Sequence, residues 1–224
     1  MTHSITQQRI FITGGTGYVG CRLIPLLLER GDDVTALVRE SSVKKVPAGW
    51  RVIVGDPLDA ETFAESVRGY DTLVQLVGVP KPSPWKGAQF RAIDGPSVRA
   101  SITAASNAGV RHMVYVSVAQ PAPVMQDYIA VRRDCEAAIA AAGLVATILR
   151  PWYILGPGHW WPLALQPVYR VLERVPATRA AAMRLGLVTI REMLAALLWS
   201  IEHPPVKTRV IDVPDIRRLS RSAA

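Results

Sequence analysis

Three glycines, Gly14, Gly17 and Gly20, recur at three-residue intervals directly after the apolar run Arg9–Thr13 (RIFIT) and open a helical stretch, Tyr18–Arg30. Few folds use such a turn. The first glycine permits the tight bend, the second lets an anion approach the backbone, and the third lets helix and strand pack closely. The helix start adds free N–H groups and the positive end of the helix dipole, a seat for a diphosphate. A strand before and a helix after are the context that separates a dinucleotide turn from a plain Gly-rich loop. Gly14, Thr16, Gly17, Tyr18 and Val19 are therefore cofactor-binding candidates.

The rest of the chain repeats the same alternation. Strands are expected at Asp33–Arg39, Arg51–Val54, Asp71–Val77, His112–Val118 and Val145–Leu149, with helices at Asp59–Val67, Pro96–Ala108 and Tyr128–Ala142. Pro25 inside the first helix predicts a kink or a local break. Short apolar strands without polar alternation call for a parallel sheet covered on both faces, a doubly wound α/β fold. Beyond Pro151 the chain turns Trp- and Pro-rich, with helical stretches near Pro162–Glu173 and Ile190–Glu202 and a closing strand at Thr208–Val213. The expected division is a dinucleotide-binding domain over 1–158 and a small substrate-side lobe over 159–224, packed on it.

Of the 224 residues, half are apolar and a fifth charged, so a packed core is within reach and global disorder is excluded. The longest nearly apolar stretch, Ala137–Leu149, is too short to span a bilayer, and the opening MTHSITQQRI has no signal core; a cytoplasmic protein is expected. Cys21 and Cys135 match no metal spacing and read as two reduced thiols; no metal is expected. The formal charge is +8, with 11 Lys/Arg against 5 Asp/Glu in residues 150–224. That balance suits an anionic partner. The basic residues form no dense run with interleaved aromatics, so the expected partner is a small molecule and not a nucleic acid.

The adenosine ribose should be met about 20 residues past the glycine turn, at the end of the second strand. Arg39 stands there, followed by Ser41, Ser42, Lys44 and Lys45. A guanidinium is a planar, permanently charged donor fork for a phosphate. This favours NADP(H); the alternative is NAD(H), with Glu40 on the ribose. Asp56, in Gly55-Asp56-Pro57-Leu58-Asp59, is placed to meet the adenine amino group, with a capping role for this loop as the alternative.

The glycine turn, the GDxxD stretch Gly55–Asp59, Val74-Gln75-Leu76-Val77-Gly78, Ala108–Ser117 and Leu149-Arg150-Pro151 before Gly156-Pro157-Gly158 together resemble the extended and atypical short-chain dehydrogenase/reductases, in particular their NmrA-like NAD(P)H-binding, epimerase-related branch. The resemblance implies a Rossmann fold. It implies that Leu76, Val77 and Gly78 line the adenosine and that Pro151, Trp152, Tyr153 and Ile154 meet the nicotinamide; Pro57, beside Asp56, is a further cofactor-binding candidate. It places the catalytic Ser at Ser117, the Tyr at Tyr128 and the position of the usual Lys at Arg132, and it implies that helices Pro96–Ala108 and Tyr128–Ala142 pair if the protein is a homodimer and not a monomer. Tyr128 would exchange a proton with the substrate oxygen while Ser117 orients it. Tyr128 and Arg132 are four apart on one helical face, and the cation is expected to lower the Tyr pKa. Arg132 cannot release a proton as a Lys does, and Ala92 stands where these proteins keep a relay Asn.

The implied activity is that of an NADP-dependent oxidoreductase or epimerase-like enzyme on a small carbonyl or hydroxyl substrate. The alternative is a non-catalytic NADP(H)-binding sensor or accessory subunit. A third, weaker reading sets Trp152, Tyr153, Trp160 and Trp161 with the basic lobe against a membrane surface. His159 reads as a loop residue or a pocket acid–base group, and Arg217, Arg218 and Arg221 as a solvated tail.

Overall fold

The computed structural model describes residues 7–159 and 174–222. In chain order its main elements are β1 (Arg9–Thr13), α1 (Gly20–Glu29), β2 (Asp33–Val38), β3 (Arg51–Val54), β4 (Thr72–Gln75), α2 (Gly95–Ala108), β5 (His112–Val116), α3 (Gln126–Ala141), β6 (Ala146–Arg150), β7 (Tyr153–Leu155), α4 (Pro176–Arg184), β8 (Leu187–Thr189), α5 (Ile190–Glu202), β9 (Thr208–Asp212) and α6 (Val213–Ser222). Seven strands form one sheet in the order β3-β2-β1-β4-β5-β6-β9, and every pairing in it is parallel. β7 and β8 pair separately.

The two-residue period of the strands builds both cores. Ile10 and Ile12 of β1, Val74, Val114 and Leu149 point to one face, where Leu23 and Leu27 of α1 meet Met193, Leu197 and Ile201 of α5. Phe11, Leu73, Met113 and Ile148 point to the other, against Val98 and Ala104 of α2 and Ile139 of α3. This is the expected doubly wound, Rossmann-like α/β fold. Residues beyond 158 share it: β9 extends the main sheet beside β6, and α5 fills the layer next to α1.

Several local expectations are corrected. No break occurs at Pro25; α1 runs on with Leu23, Ile24 and Leu27 buried on both sides of it. The helix expected over Asp59–Val67 is two short 3-10 turns, Ala60–Thr62 and Ala64–Val67. Asp59 accepts the Glu61 N–H, and the Thr62 hydroxyl bonds the carbonyls of Asp56 and Asp59; such side-chain bonds compete with regular helix. The closing strand is followed by α6, in which Ile216 is buried and Arg217 donates to the Leu187 carbonyl. Arg218 and Arg221 are exposed, Arg218 in an ion pair with Asp215. The stretch Pro162–Glu173, with Trp160 and Trp161 just before it, lies outside the described residues. Cys21 and Cys135 are free thiols, and no described helix is long and apolar enough to cross a membrane.

His112 at the start of β5 is 2 % exposed, with Nε2 at 2.9 Å from the Thr147 hydroxyl. Burial, aided by Arg209, lowers its pKa to about 4. The unfolded chain therefore binds this proton more tightly than the folded one, and stability is fully present above pH about 6.5 and declines as pH falls toward 4. Across that window the expected loss is about 3 kcal/mol. Urea melts of wild type and His112→Gln at pH 7.5 and 4.5 check it: the wild type should lose more than the variant, and equal losses would remove His112 as the cause.

Candidate functional site

Because the main sheet is wholly parallel, the carboxyl ends of its strands share one rim. The order reverses between β1 and β4, and a crevice opens beyond the strand ends at such a switch. The glycine turn lies on this rim. Gly14 has φ +78°, and a Cβ there would come within 2.8 Å of the backbone of Leu76 and Val77. A Cβ on Gly20 would meet the Gly14 carbonyl at 2.5 Å, so helix and turn touch through bare backbone. Gly17 donates to the Gly14 carbonyl at 3.0 Å, and a Cβ at Gly17 would meet only that oxygen, at 3.1 Å. The backbone N–H groups of Tyr18 and Val19 meet no acceptor among the described residues. This cradle is open where a diphosphate would lie and closed where a side chain would go.

The other cofactor candidates sit on the same rim. Leu76, Val77 and Gly78 follow β4, held by Gln75, whose side chain accepts from the Thr13 hydroxyl and the Val77 N–H and donates to Ser97. Arg39 follows β2, exposed, with Ser41, Lys44 and Lys45 also exposed on the 3-10 turn after it. Ser42 is buried, so its hydroxyl does not extend that cationic site. Asp56 follows β3 and accepts the Leu58 N–H, while the capping of the next turn falls to Asp59. Pro57 is buried beside it. Pro151, Trp152, Tyr153 and Ile154 follow β6; the Trp152 ring meets Tyr153 edge-on at 5.5 Å and packs on the core.

Two residues are tied into the turn in a way the spacing does not reveal. The Tyr18 ring meets both the Arg22 guanidinium, 4.2 Å from its centroid, and the His159 ring, stacked at 4.1 Å. His159 thus packs against the glycine turn through Tyr18. The Tyr18 hydroxyl is buried against Gly156 with no hydrogen-bond partner among the described residues.

The catalytic candidates separate into two anchored groups. Ser117 is buried after β5, and its hydroxyl donates to Glu136 at 2.5 Å. Glu136 also accepts from Gln120 and pairs with Arg150. The Ser117 proton is thereby directed at a carboxylate two helical turns past Tyr128, about 12 Å along the axis. Tyr128 is half-buried against Phe90, ring centroids 4.7 Å apart, with the Arg132 guanidinium 5.0 Å from its ring centroid. Arg132 is itself buried, paired with Asp94, and donates to the Tyr115 hydroxyl at 3.1 Å and the Val116 carbonyl at 2.8 Å.

Burial outweighs the cation, which pulls the Tyr128 pKa down as expected. Burial raises the phenol pKa, Arg132 only partly opposes it, and Asp94 adds to the rise, so the phenol stays protonated at neutral pH. Burial likewise raises the Asp94 carboxyl against the pull of Arg132. Asp94 and Glu136 escape a reading of spacing because each acts across the fold, on a partner 38 or 19 residues away. The one sequence hint is the position of Asp94, two residues after Ala92 and just before the Gly95 turn.

A family model described as NAD(P)H-binding matches residues 14–157. The chain is 27% identical over 216 residues to the ceramide reductase of Caulobacter vibrioides, covering 93% of this chain and 65% of that protein. It is 30% identical over 171 residues to the 4-hydroxy-2-methyl-3-oxo-4-farnesyl-3,4-dihydroquinoline-1-oxide ketoreductase of Stigmatella aurantiaca, covering 66% and 51%. The chain thus spans about half to two thirds of the length of these two relatives. A short-chain dehydrogenase/reductase superfamily protein from Agrobacterium tumefaciens, solved with bound NAD, superposes with a TM-score of 0.66 at 18% identity, covering 90% of this chain and 76% of that one.

Proposed function

The chain belongs to the NAD(P)H-binding family, with the fold of the short-chain dehydrogenase/reductases, and from that premise we propose that it is an NADP(H)-dependent oxidoreductase acting between a carbonyl and a hydroxyl on a small molecule. The observation that carries this reading is the shared rim. The bare-backbone turn at Gly14–Gly20, the exposed Arg39 and the β4 end at Leu76–Gly78 lie at the ends of neighbouring strands, which supports their reading as the seats of the diphosphate, the ribose phosphate and the adenosine. The names of the two relatives, both reductases, support the carbonyl-reducing direction. The free thiols Cys21 and Cys135 fit a reducing, cytoplasmic compartment.

When bound, the nicotinamide supplies a hydride to the substrate carbon. The chain supplies the rest. Tyr128, kept protonated by burial, gives its hydroxyl proton to the substrate oxygen as the new C–H bond forms. Arg132 holds a positive charge beside the phenol and eases formation of the phenolate, but releases no proton. Ser117, whose proton is engaged by Glu136, has none left for a carbonyl oxygen and can accept only from the hydroxyl of the alcohol. That engagement, with the Arg132–Asp94 pair, is what favours the second reading: a protein that holds NADP(H) and signals its presence without turnover.

One experiment separates the two readings. NADPH oxidation is followed across a panel of ketones and aldehydes with wild type, Tyr128→Phe and Arg39→Asp. Tyr128→Phe should slow turnover by at least about a hundredfold, and Arg39→Asp should move the NADPH/NADH affinity ratio toward NADH by at least about tenfold. Equal rates for Tyr128→Phe would remove it as the acid. Tight NADPH binding with no turnover by wild type would leave the second reading standing.

A further inference from the structure

The described residues bring four exposed apolar side chains onto segments that pack around the start of α3, which carries Tyr128. Trp85 is 90% exposed on the loop after β4, which its neighbour Lys86 pins by donating to the carbonyls of Pro80 and Lys81. Prolines at 80, 82 and 84 stiffen the same loop. Val124 is 51% exposed on the loop between β5 and α3. The two loops meet at the start of α3, where Asp127 lies against Gly87 and pairs with Arg91 at 3.4 Å. α4 adjoins them: Arg184 donates to the Pro121 carbonyl, and Leu185 packs with Val118, Ala122 and Ile129. Val175, just before α4, is exposed, and Arg179 and Met183, four residues apart on α4, are exposed as well.

Cations outnumber acids around this edge, where Asp127 and Asp215 are each paired with an arginine. Between residues 174 and 191 the only charged residues are Arg174, Arg179, Arg184 and Arg191. α6, packed on α4, adds Arg218 and Arg221, with Asp215 as its one acid. Lys81 is exposed on the Trp85 loop. A soluble partner's binding patch tends to lose charge at its centre. Isolated, projecting apolar side chains set among arginines and lysines match instead the interface of an anionic bilayer, where the aromatic and aliphatic groups enter the headgroup boundary and the cations meet lipid phosphates. A nucleic acid would use the cations but has no use for Val124, Val175 and Met183.

We propose that this edge, formed by the Trp85 loop, the Val124 loop and α4, docks on an anionic lipid surface and turns the mouth beside Tyr128 toward the bilayer. The surface does not involve the cofactor cradle, so its test is independent of the oxidoreductase reading. Flotation with phosphatidylcholine vesicles, with and without 30 mol% phosphatidylglycerol, is measured for wild type, Trp85→Ser and the double variant Arg179→Glu/Arg218→Glu, with NADPH affinity as the control for folding; the lipid fraction is about a third of the surface charge of a fully anionic vesicle. Wild type should float with the anionic vesicles only, and binding should fall at least about fivefold for Trp85→Ser and about tenfold or more for the charge reversals, with NADPH affinity unchanged. No flotation of wild type with anionic vesicles would overturn the proposal. So would undiminished flotation of both variants, or binding to double-stranded DNA at the same ionic strength without binding to vesicles.

Discussion

Asp94→Ala should destabilise the protein by about 3–5 kcal/mol, because it strands a charged guanidinium in the interior. Asp94 is fully buried and Arg132 nearly so, and the Arg132 Nε has no partner among the described residues even in the intact pair. The Tyr115 hydroxyl and the Val116 carbonyl remain to solvate the cation but carry no counter-charge. For a chain of this length the melting temperature should fall by roughly 10 °C. The pair is not thereby a net stabiliser: both charges leave water to form it, and that desolvation cost can exceed the attraction between them. The double variant Asp94→Leu/Arg132→Met should therefore recover most of the loss. Thermal melts of the three proteins decide it; a single variant within about 1 kcal/mol of wild type would show that water or a nearby group solvates Arg132.

The pair also explains how the fold uses an Arg where a Lys is usual in the proteins it resembles. A Cβ on Gly78 would come within 2.4 Å of the Arg132 guanidinium and 3.2 Å of the Asp94 carboxylate. The ion pair thus lies directly beneath the backbone that is proposed to line the adenosine. Its loss should weaken NADPH binding as well as stability, and the double variant should restore stability more completely than affinity.

Gly14→Ala should lower NADPH affinity by about a hundredfold, close to 3 kcal/mol. Two costs combine. A non-glycine residue at φ +78° carries about 1–3 kcal/mol of backbone strain. The added methyl must also displace the Leu76–Val77 backbone from 2.8 Å, which widens the spacing between turn and β4 end. Gly31→Ala isolates the first cost, since Gly31 has φ +84° and nothing within 4 Å of its Cβ position. Isothermal titration with NADPH should find near-normal affinity for Gly31→Ala and the full loss for Gly14→Ala. Matching affinities in the two variants would place the dinucleotide away from this turn.

Much of this architecture could be read from residue order because it is local. Gly14, Gly17 and Gly20 sit where each bare backbone is needed, and the collisions at Gly14 and Gly20 show why. The strands came from apolar runs whose two-residue period places Ile10 and Phe11 on opposite faces. Where side chains compete with the backbone, as at Asp59 and Thr62, the expected helix gave way to tighter turns. α6 was missed because its arginines mask the spacing of Val213, Ile216 and Leu219. The spacing of Tyr128 and Arg132 correctly put them on one helical face and gave the right sign for the cation's pull, but not the larger opposing effect of burial, since proximity ignores how much solvent each group has lost.

From residue order alone came the winding of the sheet, the glycine cradle and the placing of Arg39 at a strand end, all consequences of backbone conformation within a few neighbouring residues. Tertiary structure alone decided that Asp94 would neutralise Arg132, that Glu136 would take the Ser117 proton, and that β9 would close the sheet beside β6. Those outcomes depend on desolvation and on pairings across tens of residues, and neither leaves a trace in local sequence.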